Sequence, residues 1–317
     1  MSCSKELRRF FLAGIGAMAT TAEKSKEIVD AFVRKGELTV EQGRIINEEL
    51  KRDVKKTVSQ AEDTVKRHVE IAVDSDAPLV RKSLLEQLEQ MSPEELEALT
   101  AAQRIAEKAL TDILNEIRPG VTEKEIAARL QYLMLHYGAE DKSFDPIVVS
   151  GPNGSLPHGV PSEKVIQAGE FVTMDFGCIY HGYCSDMTRT FFCRAADPKY
   201  AAIHDLVREA NELAESMLRP GVPLCDLDKA ARDHISAAGY GEYFTHRLGH
   251  FIGQTEHEKG DVSATNTTLA KPGMIFSIEP GVYLPGEFGV RVEDLVLVTE
   301  DGCEILNHVD KHWKTVG

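Results

Sequence analysis

The chain has 317 residues, 42% of them hydrophobic and 27% charged, which is enough to bury a full core and form one main domain with an addition. Its 51 acidic and 36 basic residues give a net charge of −15. This charge argues against nucleic acids and anionic membranes as partners, because both bind basic surfaces. No apolar run reaches the roughly 18 residues that cross a bilayer, so no transmembrane segment is predicted.

Residues 1–75 lack proline and are rich in Lys, Glu, Val and Ala, which predicts a helical segment. Basic residues before Phe10–Ala19 are also typical of a secretory signal, but the helical pattern continues beyond it and favours a helix. The stretch FLAGIGAMATTAEKSKEIVDAFVRKGELT resembles the phasin-like proteins linked to polyhydroxyalkanoate granules. The six cysteines form no paired CxxC motif, and we therefore predict a cytoplasmic protein.

Residues 76–91 are interpreted as a linker, and residues 92–317 as the main domain. A helix is predicted from Ser92 to Pro119-Gly120, and a second from Thr122 to Tyr137-Gly138. Glu125, three residues after Thr122, completes a capping box. A second pair of helices is predicted over Tyr200–Leu218 and Asp226–Ala238.

The stretch Val172–Thr190 carries two aspartates, Asp175 and Asp186, on a predicted β-hairpin. Apolar residues around Asp175 indicate a buried strand, a turn follows at His181-Gly182, and Tyr183–Phe192 is predicted to return. The hairpin is expected to place the two aspartates side by side on one face. Two buried carboxylates do not both stay ionised without a cation, so a metal ion is expected between them.

A second hairpin with two carboxylates, Glu279 and Glu293, is predicted about a hundred residues later. Asp175 and Glu279 are 104 positions apart, and Asp186 and Glu293 are 107 apart. The sequence RPGV also occurs twice upstream, 101 positions apart. These offsets predict a duplicated unit of two helices and one hairpin, with a pseudo-twofold axis that brings four carboxylates to one centre.

Three histidines, His246, His250 and His257, lie between the carboxylates of the two hairpins in the stretch FTHRLGHFIGQTEHEKGD. Four carboxylates alone would suit Mg²⁺ or Ca²⁺. A neutral imidazole among them shifts the preference towards Mn²⁺, Co²⁺, Fe²⁺ or Zn²⁺. The sequence therefore favours a transition-metal site.

Five motifs occur in a fixed order between residues 92 and 310: Asp-Phe-Gly, SDMTRT, GH-x-IG-x-x-x-HE, SIEPG and GVRVED. In this order they resemble the pita-bread metallopeptidases, the family of Xaa-Pro aminopeptidase, prolidase, methionine aminopeptidase and creatinase. VRVED is similar to the Xaa-Pro branch. The resemblance implies an α+β fold of the pita-bread type, in which a duplicated helix pair plus β-hairpin surrounds the site.

The resemblance also implies a site with two divalent ions, manganese being expected and cobalt, zinc or iron the alternatives. The implied metal ligands are Asp175, Asp186, His250, Glu279 and Glu293. The implied catalytic residues are His158, His246, His257, Glu279 and Arg291, with Glu279 as proton acceptor and His158 and His257 as donors to the developing oxyanion. For His158, His246 and Arg291, a purely structural role is the alternative.

The resemblance implies an aminopeptidase that acts on peptides with a free N-terminus and cuts ahead of proline through a metal-bridging hydroxide. A homo-oligomer, a dimer, is also expected. The alternatives are a prolidase-type dipeptidase, a methionine aminopeptidase, or a non-catalytic peptide-binding scaffold. Two features depart from the family. Phe251 stands where glycine is usual, which is expected to narrow the floor of the site, and residues 1–75 replace the usual N-terminal α/β domain.

Overall fold

The structure is a computed structural model that describes residues 91–317. The helical segment predicted over residues 1–75, with its phasin-like stretch, lies outside the described residues. The same holds for all but the last residue of the predicted linker. None of the helices in the part that the structure describes combines the length and the apolarity needed to cross a bilayer.

The first two helices, α1 (Pro93–Ile113) and α2 (Glu123–His136), both begin at a capping box. At α2 the amide of Glu125 donates to Thr122 Oγ1 at 3.1 Å, and the amide of Thr122 donates to Glu125 Oε2 at 2.8 Å. Each pair of bonds satisfies two amides that have no partner within the helix. The capping box predicted from Thr122 and Glu125 is thus present.

Helix α1 is shorter than predicted and ends at Ile113 instead of near Pro119. The side chain of Asn115 donates to the carbonyls of Thr111 and Asp112, both at 3.4 Å. A side chain that binds nearby backbone groups competes with the helical pattern, and the chain turns there. The apolar spacing that predicted the helix carries no information about this competition.

The first half of the described chain continues with six strands. They are β1 (Asp141–Lys142), β2 (Ile147–Ser150), β3 (Phe171–Phe176), β4 (Cys178–Tyr180), β5 (Tyr183–Cys184) and β6 (Met187–Cys193), with a short 3-10 helix at Gly151–Ser155 after β2. The second half begins with helices α3 (Pro198–Met217) and α4 (Leu224–Ala237) and a 3-10 turn at Gly241–Tyr243. Its strands are β7 (Gly249–His250), β8 (Asp261–Val262), β9 (Ile275–Ile278), β10 (Gly281–Leu284), β11 (Phe288–Arg291), β12 (Asp294–Val298), β13 (Cys303–Ile305) and β14 (Thr315–Val316).

Each half contains a helix pair followed by an interrupted antiparallel hairpin, as the repeat predicted. The largest sheet has the order β14-β6-β3-β2, with β14 parallel to β6. Its counterpart has the order β13-β12-β9, and β10 pairs with β11. One core cluster forms between α1, α2 and the β3–β6 hairpin, and a second between α3, α4 and strands β9 to β12.

The first hairpin turns at His181-Gly182 as predicted, but its two aspartates are not side by side. Asp175 in β3 pairs with Thr188 in β6, and Asp186 lies in the break between β5 and β6. Asp186 is therefore diagonal to Asp175, two positions from its cross-strand partner, and not directly beside it. The break coincides with a close approach: a Cβ at Gly177 would lie 1.8 Å from the carbonyl oxygen of Ser185.

In the second hairpin the two carboxylates face each other directly. The pair Ile278 and Asp294 lies on one side of the strand break and the pair Gly281 and Arg291 on the other. The register is continuous across the break, so Glu279 and Glu293 occupy opposite positions.

Hydrogen bonds join the two hairpins along the seam between the halves. The Thr173 hydroxyl donates to the carbonyl of Gly289 at 3.0 Å, and the Thr190 hydroxyl donates to the carbonyl of Arg291 at 3.0 Å. Each bond links a residue of the first hairpin to a residue more than a hundred positions later. The seam is therefore fixed by buried polar contacts as well as by packing.

Candidate metal centre

A cleft of about 390 Å³ opens over the two hairpins and collects all of the predicted site residues. Its lining comprises Phe144, Ile147, Pro157, His158, Asp175, Asp186, His246, Arg247, His250, Glu256, His257, Glu279, Arg291 and Glu293. Residues from loops and strands that are distant in sequence thus meet at one surface. Sequence reasoning did not single out Arg247 or Glu256.

Asp186, His250 and Glu293 form the tightest group, and one potential ligand atom from each lies within 4.8 Å of the others. His250 Nε2 lies 3.4 Å from Asp186 Oδ2 and 3.5 Å from Glu279 Oε1. The amide of His250 donates to Ser277 Oγ at 3.0 Å, and the Ser277 hydroxyl donates to Glu279 Oε1 at 3.1 Å. Ser277 thus positions both a histidine and a carboxylate.

The buried carboxylates have perturbed proton affinities. Burial raises the pKa of Asp186, and the negative charges of Asp175 and Glu279 raise it further. Burial also raises the pKa of Glu293, with Asp186 and Glu279 adding to the effect. The pKa of Glu279 is raised by burial, against the opposing influence of His250 and Arg291. Charges that raise each other's pKa are stabilised when a cation lies between them.

The donor set fits divalent cations. The Oδ1 atoms of Asp175 and Asp186 are both buried and have no hydrogen-bond partner among the described residues. Unpaired buried carboxylate oxygens are costly, and a metal ion would satisfy them. Four carboxylates and one imidazole together suit Mn²⁺, Co²⁺, Fe²⁺ or Zn²⁺.

Arg291 connects the carboxylates to the rest of the cleft. Its Nη2 donates to Asp175 Oδ2 at 2.5 Å, and its Nε donates to Thr188 Oγ1 at 3.0 Å. Its Nη1 donates to the carbonyl of Pro157 at 2.9 Å and to the hydroxyl of Tyr283 at 2.7 Å. The Thr188 hydroxyl in turn donates to Glu293 Oε2 at 2.6 Å. Arg291 and Thr188 therefore hold one carboxylate from each hairpin.

His246 has a defined tautomer. Its Nδ1 lies 2.7 Å from the carbonyl of Arg247, which only accepts, so Nδ1 carries the proton. Its Nε2 therefore accepts from the Tyr283 hydroxyl at 3.0 Å, and that hydroxyl accepts from Arg291. Burial lowers the pKa of His246 to about 3, helped by the charge of Arg291. Burial also raises the pKa of Tyr283 to about 12, so both groups are neutral at pH 7.

The other two predicted histidines lie at the rim. His257 stands edge-on to His250 with ring centroids 4.1 Å apart, and its side chain is 50% exposed. Desolvation and the neighbouring His250 lower its pKa to about 4. His158 is exposed and lines the cleft from the loop between β2 and β3.

The loop that carries His158 is anchored by one carboxylate, Glu123, which is fully buried at the start of α2. Glu123 accepts from the amide and hydroxyl of Ser150 at 2.7 and 2.9 Å. It also accepts from the side chain of Asn153 at 3.0 Å and from the amide and hydroxyl of Ser162 at 3.2 and 2.8 Å. Donors at both ends of the loop thus converge on a single side chain.

The expectation that Phe251 narrows the floor of the site is wrong. Phe251 packs against Phe276 with ring centroids 5.4 Å apart and lines a neighbouring cleft. A Cβ at Gly260 would lie 2.7 Å from its ring. The bulk of Phe251 is therefore accommodated away from the metal ligands.

Sequence reasoning missed three side chains with contacts in the site: Thr188, Tyr283 and Glu256. Thr188 lies inside the SDMTRT motif, which was a usable signal. Tyr283 gave no such signal, because an aromatic residue in a strand usually packs in the core. Glu256 is half-buried, and burial raises its pKa, with Asp175 and Glu279 adding to the shift.

An α+β domain with a cleft of carboxylates and histidines at the junction of two repeated halves defines a class of metal-dependent hydrolases. The chain belongs to metallopeptidase family M24, whose sequence model matches residues 97–300. An uncharacterized peptidase of Staphylococcus aureus (strain bovine RF122 / ET3-1) is 42% identical over 220 residues, or 69% of this chain and 63% of that protein. The chain thus spans less than two thirds of that relative.

Two solved structures support the same assignment. The X-Pro aminopeptidase from Thermotoga maritima MSB8 is 39% identical with a TM-score of 0.71, covering 74% of this chain and 67% of that one. Prolidase from Pyrococcus furiosus is 41% identical with a TM-score of 0.69, covering 72% of this chain and 68% of that one. These similarities confirm the predicted pita-bread fold and the family resemblance.

Proposed function

We propose that the protein is a dinuclear metal-dependent aminopeptidase that hydrolyses the N-terminal bond of peptides, ahead of proline. The observation that carries the proposal is the group of Asp186, His250 and Glu293 within 4.8 Å, with Glu279 beside it. Asp175, Asp186, His250, Glu279 and Glu293 would hold two divalent ions. Manganese is the expected metal, with cobalt, zinc or iron as alternatives.

Bound divalent ions supply Lewis acidity and lower the pKa of water to near neutrality. Glu279 suits the role of proton acceptor because its carboxylate lies at the ligand group, 3.5 Å from His250 Nε2, and is oriented by Ser277. His257 and His158 line the same cleft, and a neutral imidazole still donates one N–H to a developing oxyanion.

Arg291 and His246 are assigned positioning roles. The guanidinium of Arg291 is engaged by Asp175, Thr188, Tyr283 and a backbone carbonyl, which leaves it fixed in place. Both ring nitrogens of His246 are hydrogen-bonded, one to the carbonyl of Arg247 and one to the hydroxyl of Tyr283. His246 would therefore contact the substrate through its ring carbons and would not donate a proton to it. Such fixed partners keep the ligands of a metal site oriented.

The proline preference is supported by the two structural neighbours, which are an X-Pro aminopeptidase and a prolidase. The alternatives remain a prolidase-type dipeptidase, a methionine aminopeptidase and a peptide-binding scaffold. The complete ligand set in one cleft supports an enzyme over a scaffold. A cytoplasmic location and a homodimer remain predictions.

The test uses the full chain, stripped of metal and then supplied with Mn²⁺ or Co²⁺. We expect release of the first residue from a Xaa-Pro-Xaa peptide only when metal is present. His250→Ala is expected to abolish release, while His312→Ala, a change at an exposed histidine, leaves it intact. Side-by-side assays of Xaa-Pro dipeptides and Met-Ala peptides separate the two enzyme alternatives. No release from any of these peptides with either metal would refute the proposal.

A further inference from the structure

Glu256 is a carboxylate of the cleft that the set of five ligands does not use. It lies on the loop after β7, six residues beyond His250, and its side chain is 33% exposed. It lines the same cleft as the four ligand carboxylates. Its location is therefore that of a substrate contact and not of a solvated surface charge.

Among the described residues, the charge of Glu256 has no lysine or arginine partner. Two divalent ions and Arg291 would balance the four ligand carboxylates together with one hydroxide, which leaves the charge of Glu256 unbalanced. Among the described residues, the ion-pair contact of Glu256 is with His257, whose Nδ1 lies 3.7 Å from Oε1. With its ordinary pKa near 6.5, a histidine is mostly neutral at pH 8. Arg247 lines the cleft as well, yet no ion pair within 4.0 Å joins it to Glu256 in the part that the structure describes.

We propose that Glu256 determines specificity by selecting peptides whose first residue carries a cationic side chain, lysine or arginine. The inference rests on the proposed aminopeptidase function and adds that the free amine of the substrate would lie at the metal centre. A partly desolvated carboxylate then remains beside the first residue. A lysine or arginine side chain would pair with it, whereas a neutral side chain would leave it without a partner.

The experiment compares two peptides that differ only in this charge, Lys-Pro-Xaa and norleucine-Pro-Xaa, with the Mn²⁺-loaded full chain at pH 8 and low salt. We expect kcat/KM for the lysine peptide to exceed that for the norleucine peptide about tenfold or more. In Glu256→Gln this preference falls to within twofold, because kcat/KM for the lysine peptide drops more than kcat/KM for the norleucine peptide.

Glu258→Gln is the matched control, because it removes the same charge from the same loop. Glu258 is exposed and lines the neighbouring cleft, and a glutamine retains the oxygen that accepts from the amide of Gln254. We expect the lysine preference to survive in this variant.

Three outcomes overturn the inference. If wild-type protein cleaves both peptides with equal kcat/KM, Glu256 does not select for the side chain of the first residue. Equal losses on both peptides in Glu256→Gln would mean that the carboxylate binds the amino terminus common to both. If wild-type protein cleaves neither peptide, the proposed function fails and this inference fails with it. Cleavage of the norleucine peptide shows that the proposed function holds even where the inference about Glu256 fails, so the two failures can be told apart.

Discussion

Replacing Asp186 by asparagine is expected to have opposite effects on stability with and without metal. The substitution keeps the shape of a buried side chain and removes one negative charge from the group of Asp186, Glu279 and Glu293. In the metal-free protein this relieves repulsion, so the variant should be more stable than the wild type. With metal bound the variant lacks a ligand, so it should be less stable.

The magnitude follows from the spacing of the ligand atoms. Two unit charges that lie within 4.8 Å of each other repel by at least about 3 kcal/mol at an effective dielectric constant of about 20. Proton uptake relieves part of this repulsion, and at about 2–4 °C per kcal/mol we expect the metal-free variant to melt roughly 3–6 °C above the wild type. An ion at a hundred times its Kd stabilises the wild type by about 2.7 kcal/mol, and the variant gains much less.

The effect in the metal-free protein depends on pH with a definite sign. The pKa of Asp186 is raised in the folded state, so its contribution favours folding below the unfolded pKa and is lost as pH rises through the folded pKa. Below its raised pKa the aspartic acid is protonated and resembles asparagine, so the two proteins should melt at similar temperatures. The difference should grow as pH rises through that pKa.

The assay is thermal unfolding of both proteins at pH 5 and pH 8, after chelation and after addition of Mn²⁺. Asp301→Asn, a change at an exposed aspartate, controls for the altered net charge. The reasoning is refuted if the Asp186 variant melts below the wild type at pH 8 without metal. Asp186 would then stabilise the fold as a hydrogen-bond acceptor for His250, and the site would not be a repelling cluster.

Two further predictions concern the contacts around the site. Tyr283→Phe removes the hydroxyl between Arg291 and His246, so buried polar groups lose a partner. We expect kcat/KM to fall about tenfold and the free energy of unfolding to fall by about 1–3 kcal/mol. Peptide kinetics and urea titration measure these two quantities, and Tyr132→Phe, a change at an exposed tyrosine, should alter neither. Gly289→Ala places a Cβ 1.9 Å from the carbonyl oxygen of Gly154 and should lower the free energy of unfolding by about 1–3 kcal/mol, whereas Gly302→Ala, with its nearest neighbour at 3.9 Å, should change it little. A tolerated Gly289→Ala in the same urea titration would contradict the described close approach.

The sequence predicted the repeat because duplication leaves a trace that needs no three-dimensional information. Arg-Pro-Gly-Val recurs in both halves, and each hairpin carries two carboxylates. Helix starts were also readable, since the capping box of Thr122 and Glu125 is a local pattern. The end of α1 was not, because Asn115 acts through side-chain bonds that spacing does not reveal.

The register of the first hairpin follows from its turn, because a two-residue turn at His181-Gly182 pairs Tyr180 with Tyr183 and, in the same register, Asp175 with Thr188. The diagonal placement of Asp186 was therefore readable from the predicted turn. The interruption of the strands was not, since the close approach of Gly177 to the carbonyl of Ser185 is a backbone contact that no pattern of side chains encodes. Tyr283 could not be identified from the sequence for the same reason, because its hydrogen bond is to His246, which is distant in the chain.

The seam between the two halves has a consequence for how the metal centre forms. A duplicated architecture commonly offers a hinge where its copies meet, and here the ligands are drawn from both copies. The hydroxyls of Thr173 and Thr190 donate across that junction to carbonyls of the second copy. Arg291, in the second copy, donates to the carbonyl of Pro157 in a loop of the first. These bonds are made by the protein itself, so the two hairpins that carry the ligands are held against each other by the folded chain.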